Sequence, residues 1–356
     1  MKTTAPLLEI ADPTTTRPLQ RVAPVAVEHG EDDVTGVAGI ALFGELLDRL
    51  GLVEAADRRS LRPMIGRGYT GGECYRSIVE LQLAGGDFLS DVSLLKDEAT
   101  ARLRGSHALP SHTKLYRFLA GAGLERVARA QAVNTDMLRR AWAMGAAPLP
   151  GRLTIDPDAT YITTYGKKKE GSKFSYKGEV QMSPLVGVIG ETGDVLALRA
   201  RGGNASPKRK LASFVSTCVA AIPEDALHNY TLWIRIDSAG FTKSVVDTCL
   251  RHKATFTITA EQNVAVRKAI EALAMDEETL WSPAKDADGE LTGSEVAETT
   301  YRFATHDFRL VVRRLGLARS DGHPPQGAQR RKGCSSWRPW NGASAVTVGR
   351  TPRSSS

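Results

Sequence analysis

From Val37 onward the apolar residues fall at helical intervals. The stretch "GIALFGELLDRLGL" places Ile40, Leu42, Phe43, Leu46, Leu47 and Leu50 at that spacing, and "ECYRSIVELQLAGG" repeats it before stopping at Gly85 and Gly86, a helix terminus. "SDVSLLKDEATARLRG" and "PSHTKLYRFLAGAGLERVARAQAVNTDMLRRAWAMG" continue the pattern. Residues 37–146 therefore read as an all-helical domain. Residues 1–36 are rich in Pro and Thr, lack a period and read as a flexible arm; "APLPG", 147–151, reads as a linker.

After the linker the period becomes two. "RLTIDPDATYITTYG" reads as a strand entering an acidic turn, and "PLVGVIGETGDVLALRARGG" as a hairpin about Glu191 to Asp194. "KLASFVSTCVAAI" is an amphipathic helix. A strand "LWIRI", a helix "TKSVVDTCLRHK" and a strand "ATFTITAE" follow, and "EVAETTYRFA" with "DFRLVVRRL" predicts an inserted hairpin. The order predicts an α/β domain over 151–315, a mixed sheet with helices on its faces. Past Leu315 the large aliphatics thin to Leu317, Val346 and Val348 among Gly, Pro, Ser and Arg, too few to bury a core. Residues 316–356 are expected to form a disordered basic tail, and the break after an unfinished domain points to a frameshift or truncation.

Charge changes the picture only locally. Of the net +7, the tail alone holds +6, with seven Lys/Arg against Asp321, so the rest of the 356 residues is nearly neutral. Nucleic-acid affinity in the folded part must then come from patches. The 42% hydrophobic content suits globular cores. Cys74, Cys218, Cys249 and Cys334 show no C-x-x-C spacing, so reduced thiols, no zinc and a cytoplasmic setting are expected. The N-terminus lacks an apolar signal region, and no apolar run reaches the ~20 residues of a bilayer span.

Candidate chemistry gathers at strand ends. Asp156 and Asp158 end one predicted strand and Asp237 another. If those strands are neighbours the carboxylates converge, repel one another and call for a hard divalent cation, Mg²⁺ or Mn²⁺. Such ions can clamp the oxygens of a phosphodiester displacement. Lys167, Lys168, Lys169, Lys173 and Lys177 follow, interleaved with Tyr161, Tyr165, Phe174 and Tyr176; Arg199, Arg201, Lys208, Arg209 and Lys210 follow the hairpin. Cations among aromatics suit a phosphate backbone and unstacked bases, although a solvated lysine face has the same composition. "GKKKEGSK" imitates a phosphate loop but has Gly-Ser-Lys in place of Gly-Lys-Ser/Thr. In "PSHTKLYRFL", Ser111 can cap a helix exposing Lys114 and Arg117, as in a DNA-recognition helix.

Taken together, "GELLDRLGL", "LQLAGGDFLSDVSLLKDEATARLRG", "LPSHTKLYRFL", "IDPDATYITTYGKKKEG", "YKGEVQMSPLVGVIGETGDVLALRARGGNAS" and "IRIDSAGF" resemble the DDE transposases of bacterial insertion sequences, in the family numbered 1380 related to that numbered 4. The resemblance covers Val37 to Leu315. It implies a ribonuclease-H-like catalytic core with a β-rich insertion behind a helical DNA-binding domain. Asp158 and Asp237 then correspond to the first two catalytic, metal-holding acids, with Asp156 as a neighbour. It further implies Mg²⁺ or Mn²⁺ as cofactor, terminal inverted repeats and target DNA as partners, and leaves room for a homodimer. The family's third acid, a helical glutamate beyond the insertion, has no counterpart: no glutamate follows Glu298, and Asp307 and Asp321 are the only later acids. Impaired catalysis is expected.

Two other readings compete. "DPDAT" satisfies the D-x-D-x-T pattern of haloacid-dehalogenase-like phosphohydrolases, with Asp156 as nucleophile and Asp158 as acid/base. A transposase-derived chain without a complete acid set could instead occupy inverted repeats as a non-catalytic repressor.

Overall fold

A computed structural model describes residues 36–59, 68–104, 109–165, 169–175, 178–286, 288–315 and 346–350. The chain divides into two compact units, Met1–Leu149 and Pro150–Ser356.

The first unit is helical: α1 (Ile40–Arg49), α2 (Leu52–Arg58), α3 (Gly71–Leu83), α4 (Glu98–Leu103), α5 (His112–Ala120) and α6 (Leu124–Ala141). Thr70 starts α3 with a capping box, its hydroxyl accepting from Glu73 N while the Glu73 carboxylate accepts from Thr70 N, so two otherwise orphaned amides are satisfied. Leu52, Ala55, Cys74, Val92, Leu115, Phe118 and Val133 form the core. The apolar stripe expected on α1 is only half used: Ile40 and Leu50 are buried, whereas Leu42, Phe43 and Leu46 are exposed. Packed against α1 instead is the buried Arg76, which pairs with Asp48 and donates to the Gly44 carbonyl (3.2 Å). Arg76 also meets Glu80 (2.7 Å), and Glu80 meets Arg104 (2.7 Å). This buried chain of alternating charge ties α1, α3 and the end of α4 together.

The second unit holds β1 (Gly151–Ala159), β2 (Ile162–Thr163), β3 (Lys173–Phe174), β4 (Val180–Met182), β5 (Leu185–Ile189) and β6 (Val195–Arg199). Then come α7 (Leu211–Ala221), β7 (Tyr230–Ile236), α8 (Lys243–Arg251), β8 (Thr255–Thr259), α9 (Val264–Met275), β9 (Ser282–Lys285), β10 (Leu291–Phe303), β11 (His306–Leu315) and β12 (Val346–Arg350). Among the described residues, nine strands make one sheet in the order β6-β5-β1-β7-β8-β12-β11-β10-β9, and three make a smaller one, β2-β4-β3. β5 runs antiparallel to β1 and β6, whereas β7 and β8 run parallel to β1. The sheet is therefore mixed, as the alternation of strands and helices predicts.

One face of this sheet is packed by α7. Gly187 of β5 lies so close that a Cβ there would sit 2.3 Å from Cys218 Sγ of α7. Gly187 is paired with Pro157, so Leu153, Ile155 and Pro157 share the helix-covered face, and Asp156 and Asp158 point to the other. The expected inserted hairpin is present as β10–β11, paired from Ser294↔Leu315 to Phe303↔His306.

Two expectations need correction. Residues 346–350, placed in a disordered tail, form β12, which pairs with β11 on one side (Leu310↔Val348) and β8 on the other (Ile258↔Val348). Five residues suffice because the strand satisfies two open edges at once, and Val346-Thr347-Val348 has the β-branched character a strand accepts. The helix α9, capped by Asn263 and burying Val266, Ile270 and Leu273, was not anticipated. The arm at 1–35 and the tail at 316–345 and 351–356 lie outside the described residues.

Candidate active site

The offset between β1 and β7 is constant, with Gly151 opposite Tyr230 and Ile155 opposite Ile234. Carried past the last pair, it brings Asp156 level with Arg235 and Asp158 level with Asp237. The first of these juxtapositions is realised in side chains: Arg235 grips Asp156 through Nε to Oδ1 (2.8 Å) and Nη2 to Oδ2. That carboxylate raises the Arg235 pKa, mainly through the hydrogen bond. The parallel ladder ends at Ile155, two residues before Pro157, which has no N–H to offer a neighbouring strand. The strands thus part where the acids stand, at the carboxyl ends of parallel strands, where open α/β sheets place ligands.

Asp158 and Asp237 are both exposed. Asp158 Oδ1 accepts from Ala159 N (2.6 Å), and Asp237 Oδ1 accepts from Ala239 N (2.9 Å). These backbone contacts orient each carboxylate and leave further oxygen lone pairs open. A hard divalent cation fits two such oxygen donors better than any soft metal. No group of three or more His, Cys, Asp or Glu residues is arranged to hold a metal among the described residues. Every described candidate for a third acid is committed elsewhere: Glu298 to Arg309 (2.5 Å), Glu295 to Arg314 (2.8 Å) and Asp307 to Arg302 (3.1 Å), all on the β10–β11 hairpin. The Arg309 guanidinium holds the Glu298 carboxyl below its usual range. Asp321 lies outside the described residues.

Asp156 cannot serve as the free nucleophile of a phosphohydrolase, because Arg235 occupies both of its oxygens. Arg235 went unnoticed in the sequence, yet its signal was there: "DPD" and "RID" place a charge two residues before each key acid, opposite in sign on neighbouring strands.

The expected DNA-contacting residues separate into distinct environments. Ser111 caps α5, its hydroxyl 3.4 Å from Lys114 N. Arg117 is exposed beside exposed Tyr116, while Leu115 and Phe118 anchor the other side of α5. Lys169, Arg209 and Lys210 are exposed, and Lys208 is paired with Glu261 (2.5 Å). Lys167, Lys168 and Lys177 lie outside the described residues. Arg201 does not belong with them. It is buried and donates to the carbonyls of Ser183 (2.8 Å), Ser206 (3.1 Å), Pro207 (3.3 Å) and Arg209 (3.1 Å). Burial lowers its pKa. Its donors fold the 206–209 loop and leave none aimed at a phosphate.

A family model described as "Transposase DDE domain group 1" matches residues 18–316. The chain belongs to that family. For this transposase-family chain no curated relative matches. Among solved structures it is similar to a piggyBac transposase, seen by cryo-EM in a synaptic complex with hairpin DNA, at 13% identity and a TM-score of 0.35. The similarity covers 77% of this chain and 60% of that one. No helix among the described residues is long and apolar enough to cross a membrane.

Proposed function

We propose that this chain carries the cleavage centre of an insertion-sequence transposase, with a ribonuclease-H-like core whose Asp158 and Asp237 hold Mg²⁺ or Mn²⁺. The observation that carries this reading is the constant β1–β7 offset, which sets the two family acids side by side where the strands diverge. A divalent ion bound there would supply positive charge to the oxygens of a phosphodiester in displacement. Asp158 and Asp237, steadied by Ala159 N and Ala239 N, provide its oxygen ligands, and Arg235 removes the competing charge of Asp156. The DNA substrate is the element's terminal inverted repeats, and the freed 3′-hydroxyl then attacks target DNA. Inverted repeats are two-fold related, which suits a symmetric dimer. Asp158→Asn and Asp237→Asn should each abolish Mg²⁺-dependent nicking of supercoiled plasmid and weaken Mn²⁺ binding in calorimetry, while DNA binding persists. Nicking equal to that of the unaltered chain would refute the assignment.

A second reading has its own observation: no third carboxylate joins the pair among the described residues. A chain that binds inverted repeats through α5 without cutting them would then act as a repressor of intact relatives. DNA binding without metal-dependent nicking in the unaltered chain marks that outcome.

A further inference from the structure

The small sheet β2-β4-β3 begins directly beyond Asp158. Tyr161 lies three residues past that acid, and Thr160 N donates to the Pro184 carbonyl (3.0 Å), so β1 leads straight into β2. The register of this sheet pairs Ile162 with Met182 and Phe174 with Val180. Cross-strand partners share a face. These four apolar side chains therefore line one face, while the buried Gln181 points to the other. Ile162 is 50% exposed and Phe174 57%, and the neighbouring rings of Tyr161 and Tyr165 are 50% and 87% exposed.

An apolar, aromatic surface of this kind invites either protein or bases, and charge decides between them. Residues 161–182 carry five lysines against two glutamates, and Lys169 and Lys173 are exposed in the described part of the segment. Phosphate follows every base of a DNA strand, so rings with flanking lysines match single-stranded DNA, in which bases stack on aromatics while cations track the backbone. A paired duplex cannot use the rings, because its base faces are already stacked.

We propose that the β2-β4-β3 face is a platform for unpaired nucleotides at the end of the DNA strand presented to Asp158 and Asp237. This proposal rests on the DNA-processing reading and adds a substrate feature to it: the strand is held splayed at its end, with Tyr165 and Phe174 as stacking residues. Tyr165→Ala and Phe174→Ala together should remove the preference for a splayed end and leave duplex affinity unchanged. Phe174→Tyr, which keeps a ring, should retain the preference.

The test is binding of the full chain in EDTA, so that cleavage plays no part. One probe is a short blunt duplex; the other is the same duplex with an unpaired end of about four nucleotides. The expected result is about tenfold tighter binding of the splayed probe, lost in the Tyr165/Phe174 double alanine variant, since base–aromatic stacking contributes roughly that factor or more per base. Equal affinity of the unaltered chain for both probes, or a preference that survives the double variant, overturns the platform while leaving the transposase reading intact. Failure to bind either DNA overturns both. Self-association abolished by the double variant, with no change in DNA preference, assigns the face to a second copy and overturns the proposal.

Discussion

Glu80 is fully buried between Arg76 and Arg104, and removing it would strand two guanidinium groups away from water. Breaking a buried ion network by deleting one partner costs about 3–5 kcal/mol. Glu80→Ala should therefore lower the stability of the helical unit by that amount in urea titration. His252 provides a pH probe in the other unit. Its ring lies 2.9 Å from Ser216 Oγ of α7, and burial, with Arg251 adding to it, lowers its pKa below the usual value. Because the folded pKa lies below the unfolded one, the unfolded chain binds the proton more readily. Stability is thus fully present at neutral pH and declines as pH falls below about 6.5. His252→Gln should flatten the stability profile in this window; an unchanged profile would show that another group titrates there. The buried thiols of Cys218 and Cys249, each pushed up to about 12 by desolvation, stay protonated throughout.

Elements differ in how openly the sequence announces them. The alternation of Leu232, Ile234 and Ile236, all buried, made β7 legible, as did the matching pattern of β1, and their acids pointed to the site. The β10–β11 hairpin was readable for the same reason. The strand β12 was not, because its place is set by two open backbone edges rather than by side-chain period, and its surrounding composition is that of a loop. The i, i+4, i+7 spacing of Val266, Ile270 and Leu273 in α9 was readable and was passed over. Arg201 reads as a surface cation in any composition count; only the fold shows the carbonyls that surround it. Two changes test the elements. Gly187→Ala drives a methyl into Cys218 of α7, an overpacking that costs about 1–3 kcal/mol. Val348→Pro removes an amide from a strand paired on both sides, and should lower the melting temperature of the α/β unit and raise aggregation. A melting curve unaltered by this proline would show that β12 contributes nothing to the sheet.

At the scale of the whole molecule, the helical and α/β units have separate cores, so unfolding should proceed in two resolvable transitions. Glu80→Ala should move one of them and Gly187→Ala the other. A single transition displaced by both changes would mean that the units unfold as one. The family acids fall in the α/β unit, and the capped helix α5, with its exposed Tyr116 and Arg117, falls in the helical one. The division legible at "APLPG" therefore separates the proposed cutting centre from the proposed reading helix.

The place of β12 also bears on how the protein is made. Thr259 of β8 pairs with Thr347, and Val311 of β11 pairs with the same residue. On a ribosome, β8 and the whole β10–β11 hairpin emerge well before the strand that joins them. Throughout that interval two strand edges face the cytosol with unpaired amides and carbonyls, the template on which other chains add. The yield of soluble protein should therefore depend on how soon the last strand arrives, and slow translation across residues 316–345 should favour aggregates.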